Sequence, residues 1–356
     1  LIMAYTTINK PSLHFNTVLY SGDGTSNRGI TGTGFQPDLV VNKGRTFSSG
    51  AYNWYTFDSV RTLGGRINWN TTAAEDDKSA EFISFDSDGF TVTNNAGSLN
   101  MNGSGVTYAN FCWKADNTSG SSNTDGSITS TVSANTTSGF SIVKYTGNAT
   151  SGATIGHGLG SAPKMIILKE LNNATDWYVY HAGIGATKYL SLNDTDAAVT
   201  TAAAWNDTAP SSSVFTLGNG SDLNGSSDNY IAYCFAEKQG FSKFGSYVGN
   251  ASASDNAFVY CGFKPAFLIT KCSSIAGDSW TLYDNKRDPY NYVYRRLFPD
   301  GNTAESLNTG ADIDFLSNGF KIRTDAGTSG ASQTYIFMAF AEAPLVGSNN
   351  VPANAR

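Results

Sequence analysis

The chain has 356 residues, a formal net charge of −6 and only 15% charged side chains. An acidic chain without a basic run lacks the electrostatic footprint that phosphate backbones require, which excludes nucleic acid as a partner. No stretch approaches 18 apolar residues, so no membrane insertion by a helix is expected.

Its polarity comes from Gly, Ser, Thr and Asn, alongside 21 Phe, 18 Tyr and 6 Trp. That mixture suits short strands and tight turns, and no long amphipathic run of helix formers interrupts it. The fold class expected is all-β.

In chain order, residues 1–14 come first, with Met3 the expected start. Pro11-Ser12-Leu13-His14-Phe15 reads either as a docking element or as the edge strand that opens the first repeat. That repeat spans residues 15–116. It carries Tyr20-x-Gly22, then Pro37 three residues after Gly34, then the apolar run Leu39-Val40-Val41 ending at Lys43. A strand opens at Trp54 and ends at Asp58. Ser87-Asp88-Gly89-Phe90 is a hairpin signal, and 108–113 closes the unit. Residues 117–139, nearly all Ser, Thr, Asn and Gly, read as a linker, with one alternating stretch at 128–132 able to pair as a strand.

The same marks return in 140–239 as Tyr145-x-Gly147, Gly160, Pro163, the run Met165-Ile166-Ile167-Leu168 to Lys169, Trp177 to His181, and a closing strand at 230–235. They return again in 240–345 as Tyr247-x-Gly249, Gly262, Pro265, Phe267-Leu268-Ile269 to Lys271, Trp280 to Asp284, the hairpin signal Asn318-Gly319, and 335–340. Residues 346–356 read as a loose tail. Three recurrences of one spacing pattern predict three tandem β-sandwich domains, jelly-roll or lectin-like, each of six to eight short strands. The proline-marked strand should be central, with Pro37, Pro163 and Pro265 at its first position, where a missing N–H costs no ladder bond. The tryptophan strands alternate, so one face, such as Trp54 and Thr56 or Tyr55 and Phe57, should be core, leaving the other available for exposure.

The same residues offer little for chemistry. Cys112, Cys234, Cys261 and Cys272 form no CxxC pair, and His14, His157 and His181 are scattered, so no disulfide or metal site is expected. Asp86-Ser87-Asp88-Gly89 resembles the start of a calcium loop but lacks the later ligands, and a turn fits it better. Asp58 and Asp284 occupy equivalent strand ends where the second repeat has His181. That substitution argues against a catalytic carboxylate pair, and the Asp58/Arg61 and Asp284/Arg287 spacings read as ion pairs at a strand-to-loop junction. Gly156-His157-Gly158-Leu159-Gly160 reads as a turn. No enzyme activity, catalytic residue, metal or cofactor is expected.

Binding remains. Tyr rings stack on the apolar C–H faces of sugars, while Asn, Asp and Arg serve the hydroxyls. The loop after Asp284 is the richest in such groups, and Asp284, Arg287, Tyr290, Asn291 and Tyr292 are the candidate ligand residues. The other reading of this loop is packing against its own domain or a neighbouring subunit.

Gly34-Phe35-Gln36-Pro37-Asp38-Leu39-Val40, Asp58-Ser59-Val60-Arg61, Phe85-Asp86-Ser87-Asp88-Gly89-Phe90, Tyr145-Thr146-Gly147-Asn148 and His157-Gly158-Leu159-Gly160 resemble repeats in virion proteins of marine tailed bacteriophages. Those proteins are labelled tail fibres or structural proteins. The resemblance covers nearly the whole chain and implies a virion protein made in the host cytoplasm. It further implies contact with other virion proteins, a homo-oligomer (a trimer, as tail appendages commonly are) and engagement of host-surface glycan. It carries no catalytic residues. An architectural role in head, collar or connector is the alternative, and a capsule-degrading glycosidase the third.

Overall fold

The computed structural model describes residues 5–47, 52–94, 101–252, 256–307, 309–310, 312–324, 327–347 and 352. Strands take 43% of the chain and helix 3%, so the protein is all-β, built from several antiparallel sheets of which none closes.

The first repeat supplies β1 (Phe15–Ser21), β2 (Arg28–Thr31), β3 (Leu39–Thr46), β4 (Tyr55–Asp58), β5 (Gly65–Asn68), β6 (Asp76–Asp77), β7 (Phe82–Asp86), β8 (Gly89–Val92) and β9 (Thr107–Trp113). They assemble as a large sheet, β1-β9-β3-β4-β5-β6, and a small one, β2-β8-β7. Next come β10 (Ser121–Asn123), β11 (Ser130–Asn135), β12 (Phe140–Thr146), β13 (Thr154–Gly156), β14 (Met165–Glu170), β15 (Trp177–His181), β16 (Lys188–Ser191), β17 (Val199–Thr200), β18 (Val214–Thr216) and β19 (Asn229–Phe235). Their sheets are β10-β11-β12-β19-β14-β15-β16-β17 and β13-β18. Two single-turn helices, α1 (Ala202–Trp205) and α2 (Ser221–Asn224), lie in the same stretch. The third repeat supplies β20 (Ser242–Val248), β21 (Phe258–Tyr260), β22 (Phe263–Cys272), β23 (Thr281–Asp284), β24 (Ile313–Leu316), β25 (Gly319–Ile322) and β26 (Thr334–Pro344). They form β20-β26-β22-β23 and β21-β25-β24. One order therefore occurs three times: opening strand, closing strand, proline-marked strand, tryptophan strand.

The recurring Tyr-x-Gly has a packing cause. Each tyrosine stacks on the first tyrosine of the closing strand, Tyr20 on Tyr108 at 4.9 Å, Tyr145 on Tyr230 at 5.0 Å and Tyr247 on Tyr335 at 5.1 Å. Its hydroxyl donates to a carbonyl in the segment before the closing strand, at Met101, Leu223 (in α2) and Thr328 respectively. The glycine two places on lies against that same segment. A Cβ on Gly22, Gly147 or Gly249 would stand 2.0, 2.3 or 2.4 Å from the carbonyl oxygen of Gly103, Gly225 or Gly330. No side chain fits there.

Alternation along the large-sheet strands sends successive residues to two different cores. In β3, Leu39 and Val41 join one cluster and Val40 another; in β14, Met165 and Ile167 part from Ile166 and Leu168 in the same way. The second set packs between each large sheet and its own small sheet. The first set, drawn from all three repeats, makes a single shared cluster. At its centre Trp113, Phe235 and Phe340, one from each closing strand, form a ring triangle with sides of 6.1, 6.1 and 5.9 Å.

The three tryptophans close the assembly. The indole Nε1 of Trp54 donates to Phe298 O at 2.8 Å, that of Trp177 to Asn68 O at 2.8 Å, and that of Trp280 to Ser191 O at 2.8 Å. The three acceptors are register equivalents on the strand beside each tryptophan strand. The bonds run from first repeat to third, third to second and second to first, a closed cycle. Both faces of the tryptophan strands are thus largely buried, with Tyr178 half-buried, against the expectation that one was free for exposure: Trp54 and Thr56 are 0% exposed, and Tyr55 and Phe57 no more than 7%.

Three other expectations need correction. Pro37 and Pro163 precede their strands by two residues, and Pro265 sits at a register irregularity inside β22. Segment 117–139 supplies β10 and β11, which extend the second large sheet, so it is more than a linker. The N-terminal segment packs on its own chain: Tyr5 donates to Gly262 O and Thr6 to Gln239 O, both at 2.8 Å, and Ile8 enters the shared core. Residues 1–4 and most of 346–356 lie outside the described residues; Val346 and Pro352 form one backbone bridge.

Candidate functional site

The five candidate ligand residues separate into two environments. Asp284 ends β23 and is 0% exposed, and its carboxylate accepts the backbone N–H of Lys286 and Arg287 at 3.0 and 2.9 Å. The Arg287 guanidinium lies between Asp284 and Glu305, with Nη1 3.0 Å from Glu305 Oε1. Glu305 in turn takes a two-pronged bond from Arg45 of the first repeat, both arms 2.9 Å. Burial opposes charge on both partners, yet the opposite charges prevail: Arg287 is held above the usual arginine range and Glu305 below the usual carboxylate range. This network is spent on structure, as the Asp-x-x-Arg spacing indicated, and offers a ligand nothing.

The first repeat has the same device. Arg61 pairs with Asp58 at 2.6 Å and with Glu75 at 2.9 Å. The Tyr233 hydroxyl of the second repeat donates to Asp58 at 2.7 Å. In the second repeat, His181 takes the aspartate's place. Its Nε2 lies 3.1 Å from Phe337 O and its Nδ1 accepts Gly183 N at 3.0 Å, and burial lowers its pKa to about 4. Each of the three strand ends therefore pins a boundary between repeats. Sequence reading missed Glu305, Arg45, Glu75 and Tyr233, because the acids follow their arginines at unequal distances and the other two are remote in the chain.

Tyr290, Asn291 and Tyr292 differ in kind. Asp288 organises their loop by accepting Tyr294 N at 2.9 Å and Arg295 N at 2.7 Å. The Asn291 amide imitates a strand residue, donating to Phe315 O and accepting Phe315 N, both at 2.9 Å. It is therefore structural. Tyr290 and Tyr292 are 80% and 50% exposed and present their rings to solvent.

The remaining candidates resolve into turns. Asp86 accepts the hydroxyls of Ser84 and Thr91 at 2.7 Å, and Asp88 accepts the amides of Gly32 and Gly34 at 3.2 and 2.6 Å. His157 Nδ1 accepts Leu159 N at 3.2 Å within its glycine-rich turn. Cys112, Cys234, Cys261 and Cys272 are free and buried, and among the described residues no cluster of three His, Cys, Asp or Glu side chains is placed to hold a metal.

Residues 10–344 match the family model described as Domain of unknown function (DUF7483). The chain belongs to this family. The span matched in the DUF7483 chain takes in all three recurrences of the strand order together with the shared core. No match was found among curated proteins or among solved structures.

Proposed function

We propose that the chain is a structural component of a bacteriophage virion, a tail fibre or receptor-binding appendage that engages host-surface glycan. The observation that carries this reading is the placement of its exposed aromatic rings. Most large rings among the described residues are buried, whereas Tyr290 and Tyr292 stand in solvent on a loop fixed by Asp288 and Asn291. Rings held rigidly at a surface lose little entropy on binding and offer apolar faces to sugars. The motif resemblance to virion proteins supports the same reading.

In this proposal each large sheet and its small partner are the two layers of a β-sandwich of the jelly-roll or lectin-like kind, and three such modules share one core. The trimer expected of a tail appendage is then supplied by one chain. Labelled protein incubated with host cells tests the function. Saturable adsorption that competes with phage and is lost on periodate oxidation of the cell surface is the expected result; no adsorption sinks the proposal.

The architectural alternative is favoured by a different observation, the closed cycle of Trp54, Trp177 and Trp280. A body with internal threefold likeness suits a threefold position on a particle. Density located at such a position, with the tyrosine loop covered by neighbours, would decide for that reading.

A further inference from the structure

Resting on the receptor-binding reading, we propose that the outer face of the small sheet β21-β25-β24 binds an acidic saccharide. Aromatic rings stack on its sugar faces, and Lys321 pairs with its carboxylate.

Strand alternation builds the face. In β21, Val259 is buried, while Phe258 and Tyr260 are 47% and 54% exposed on the opposite side. Register sets Phe258, Lys321 and Asp314 in one row across the sheet, and Tyr260, Gly319 and Leu316 in the next. Beyond β24, Val293 exchanges backbone bonds with Ile313 at 2.7 and 3.0 Å, which brings the exposed Tyr292 beside this edge, with Tyr290 two residues back. The rings of β21 and those of the loop thus flank the sheet about three strand spacings apart, roughly 14 Å. Between them Gly319 contributes no side chain, and a Cβ there would meet Val259 O at 2.0 Å, so the middle of the second row stays low.

The charges select the ligand. Asp314 is paired with Arg323, whereas Lys321, half-buried in the first row between Phe258 and Asp314, has no ion-pair partner among the described residues. An unspent cation among aromatic faces favours a sugar that carries a carboxylate over a neutral one.

The other two repeats serve as internal controls. Their small sheets turn Gly29, Thr31, Ser84, Asp86 and Thr91, or Thr154, Gly156, Val214 and Thr216, to the same side, with no aromatic residue. The scaffold therefore does not require rings at these positions. All four exposed aromatic side chains among the described residues, Phe258, Tyr260, Tyr290 and Tyr292, belong to this one region.

The test titrates the full chain with a uronic-acid hexasaccharide and with its carboxyl-reduced, neutral counterpart, following tyrosine fluorescence. Wild type should prefer the acidic probe. Lys321→Gln should weaken it about tenfold and abolish the preference, the cost of one charge-assisted hydrogen bond. Tyr260→Ala and Tyr292→Ala should weaken both probes by about fivefold each, as loss of a stacked ring does. Thr31→Ala, at the place in the first repeat that corresponds to Tyr260, should leave binding unchanged, and all four variants should keep a single melting transition close to that of wild type. Failure of wild type to bind either probe, or binding indifferent to these variants, overturns the site. Host-cell adsorption retained in full by a Lys321→Gln/Tyr260→Ala double variant also overturns the site while leaving the receptor reading intact. Absence of adsorption by wild type overturns the receptor reading itself.

Discussion

Glycine at the third place of Tyr-x-Gly shows how a single hydrogen atom decides a contact. The Gly147 position admits no Cβ because Gly225 O stands 2.3 Å from where it would lie. Gly147→Ala should lower stability by about 1–3 kcal/mol, the usual cost of overpacking, read from the denaturant midpoint. The lysines that end each apolar run are the other residues of this scale. Lys43 is enclosed, with its ammonium on Tyr52 O and near the Trp54 ring, and burial lowers its pKa to about 7. Between about pH 7 and the usual lysine value near 10.5 the unfolded chain holds a proton that the folded chain has shed, so raising the pH favours folding. Below about pH 7 both states are protonated and the burial penalty is fully present. Lys43→Met should therefore differ most in stability from wild type at about pH 6–7, with the difference shrinking as pH rises toward about 10; unfolding curves at several pH values measure it. The Tyr, Gly, Pro, Lys and Trp marks were all legible in the sequence as recurrences. What was not legible is the partner of each: Gly103, Gly225 and Gly330 all stand four residues before their closing strand, but in a chain with 37 glycines that recurrence does not say which glycine the Tyr-x-Gly step meets.

At the scale of elements, the tryptophan strands join the repeats. Trp177→Phe removes the indole donor and leaves the Asn68 carbonyl buried without it, a loss of about 1–3 kcal/mol in unfolding free energy. Arg287→Met is the harsher change. It leaves the buried Asp284 carboxylate with backbone donors alone, while Glu305 keeps Arg45, and breaking a buried pair costs about 3–5 kcal/mol. Arg295→Ala, at a side chain 34% exposed, should cost under about 1 kcal/mol by the same assay. Sequence reading recovered these strands, their order in the chain and the Asp-x-x-Arg pairs. It misjudged the second face of the tryptophan strands, because alternation states that a strand has two faces and is silent on what covers each. Segment 117–139 was misjudged for a related reason. Ser, Thr and Asn signal loops, yet β11 needs only Val132 and a few small residues to pair beside β12, with its polar groups met by the neighbouring turn, as when Ser133 donates to Asp116.

For the whole molecule, the shared core sets the folding unit. One repeat alone would expose Ile142, Ile167, Trp177, Val179, Ile231 and Phe235, all part of the central cluster. Exposed apolar surface of that extent drives association. Residues 140–239 expressed alone should therefore fail to give a soluble, cooperatively folded monomer, whereas the full chain should melt in one calorimetric transition with matching van't Hoff enthalpy. Three separable transitions would contradict the shared core. Under the proposal that one chain supplies the threefold body, sedimentation of the full chain should give the mass of one chain.

The closed cycle of indole bonds has a consequence for how such a molecule changes over generations. When three identical chains meet about an axis, any mutation arrives three times and is felt on every side. Here each third is encoded separately, so one can carry Phe258 and Tyr260 while its siblings keep threonine and glycine at the corresponding sites, and the common interior never registers the difference. Separate encoding frees the outward surfaces from the symmetry that the interior still obeys.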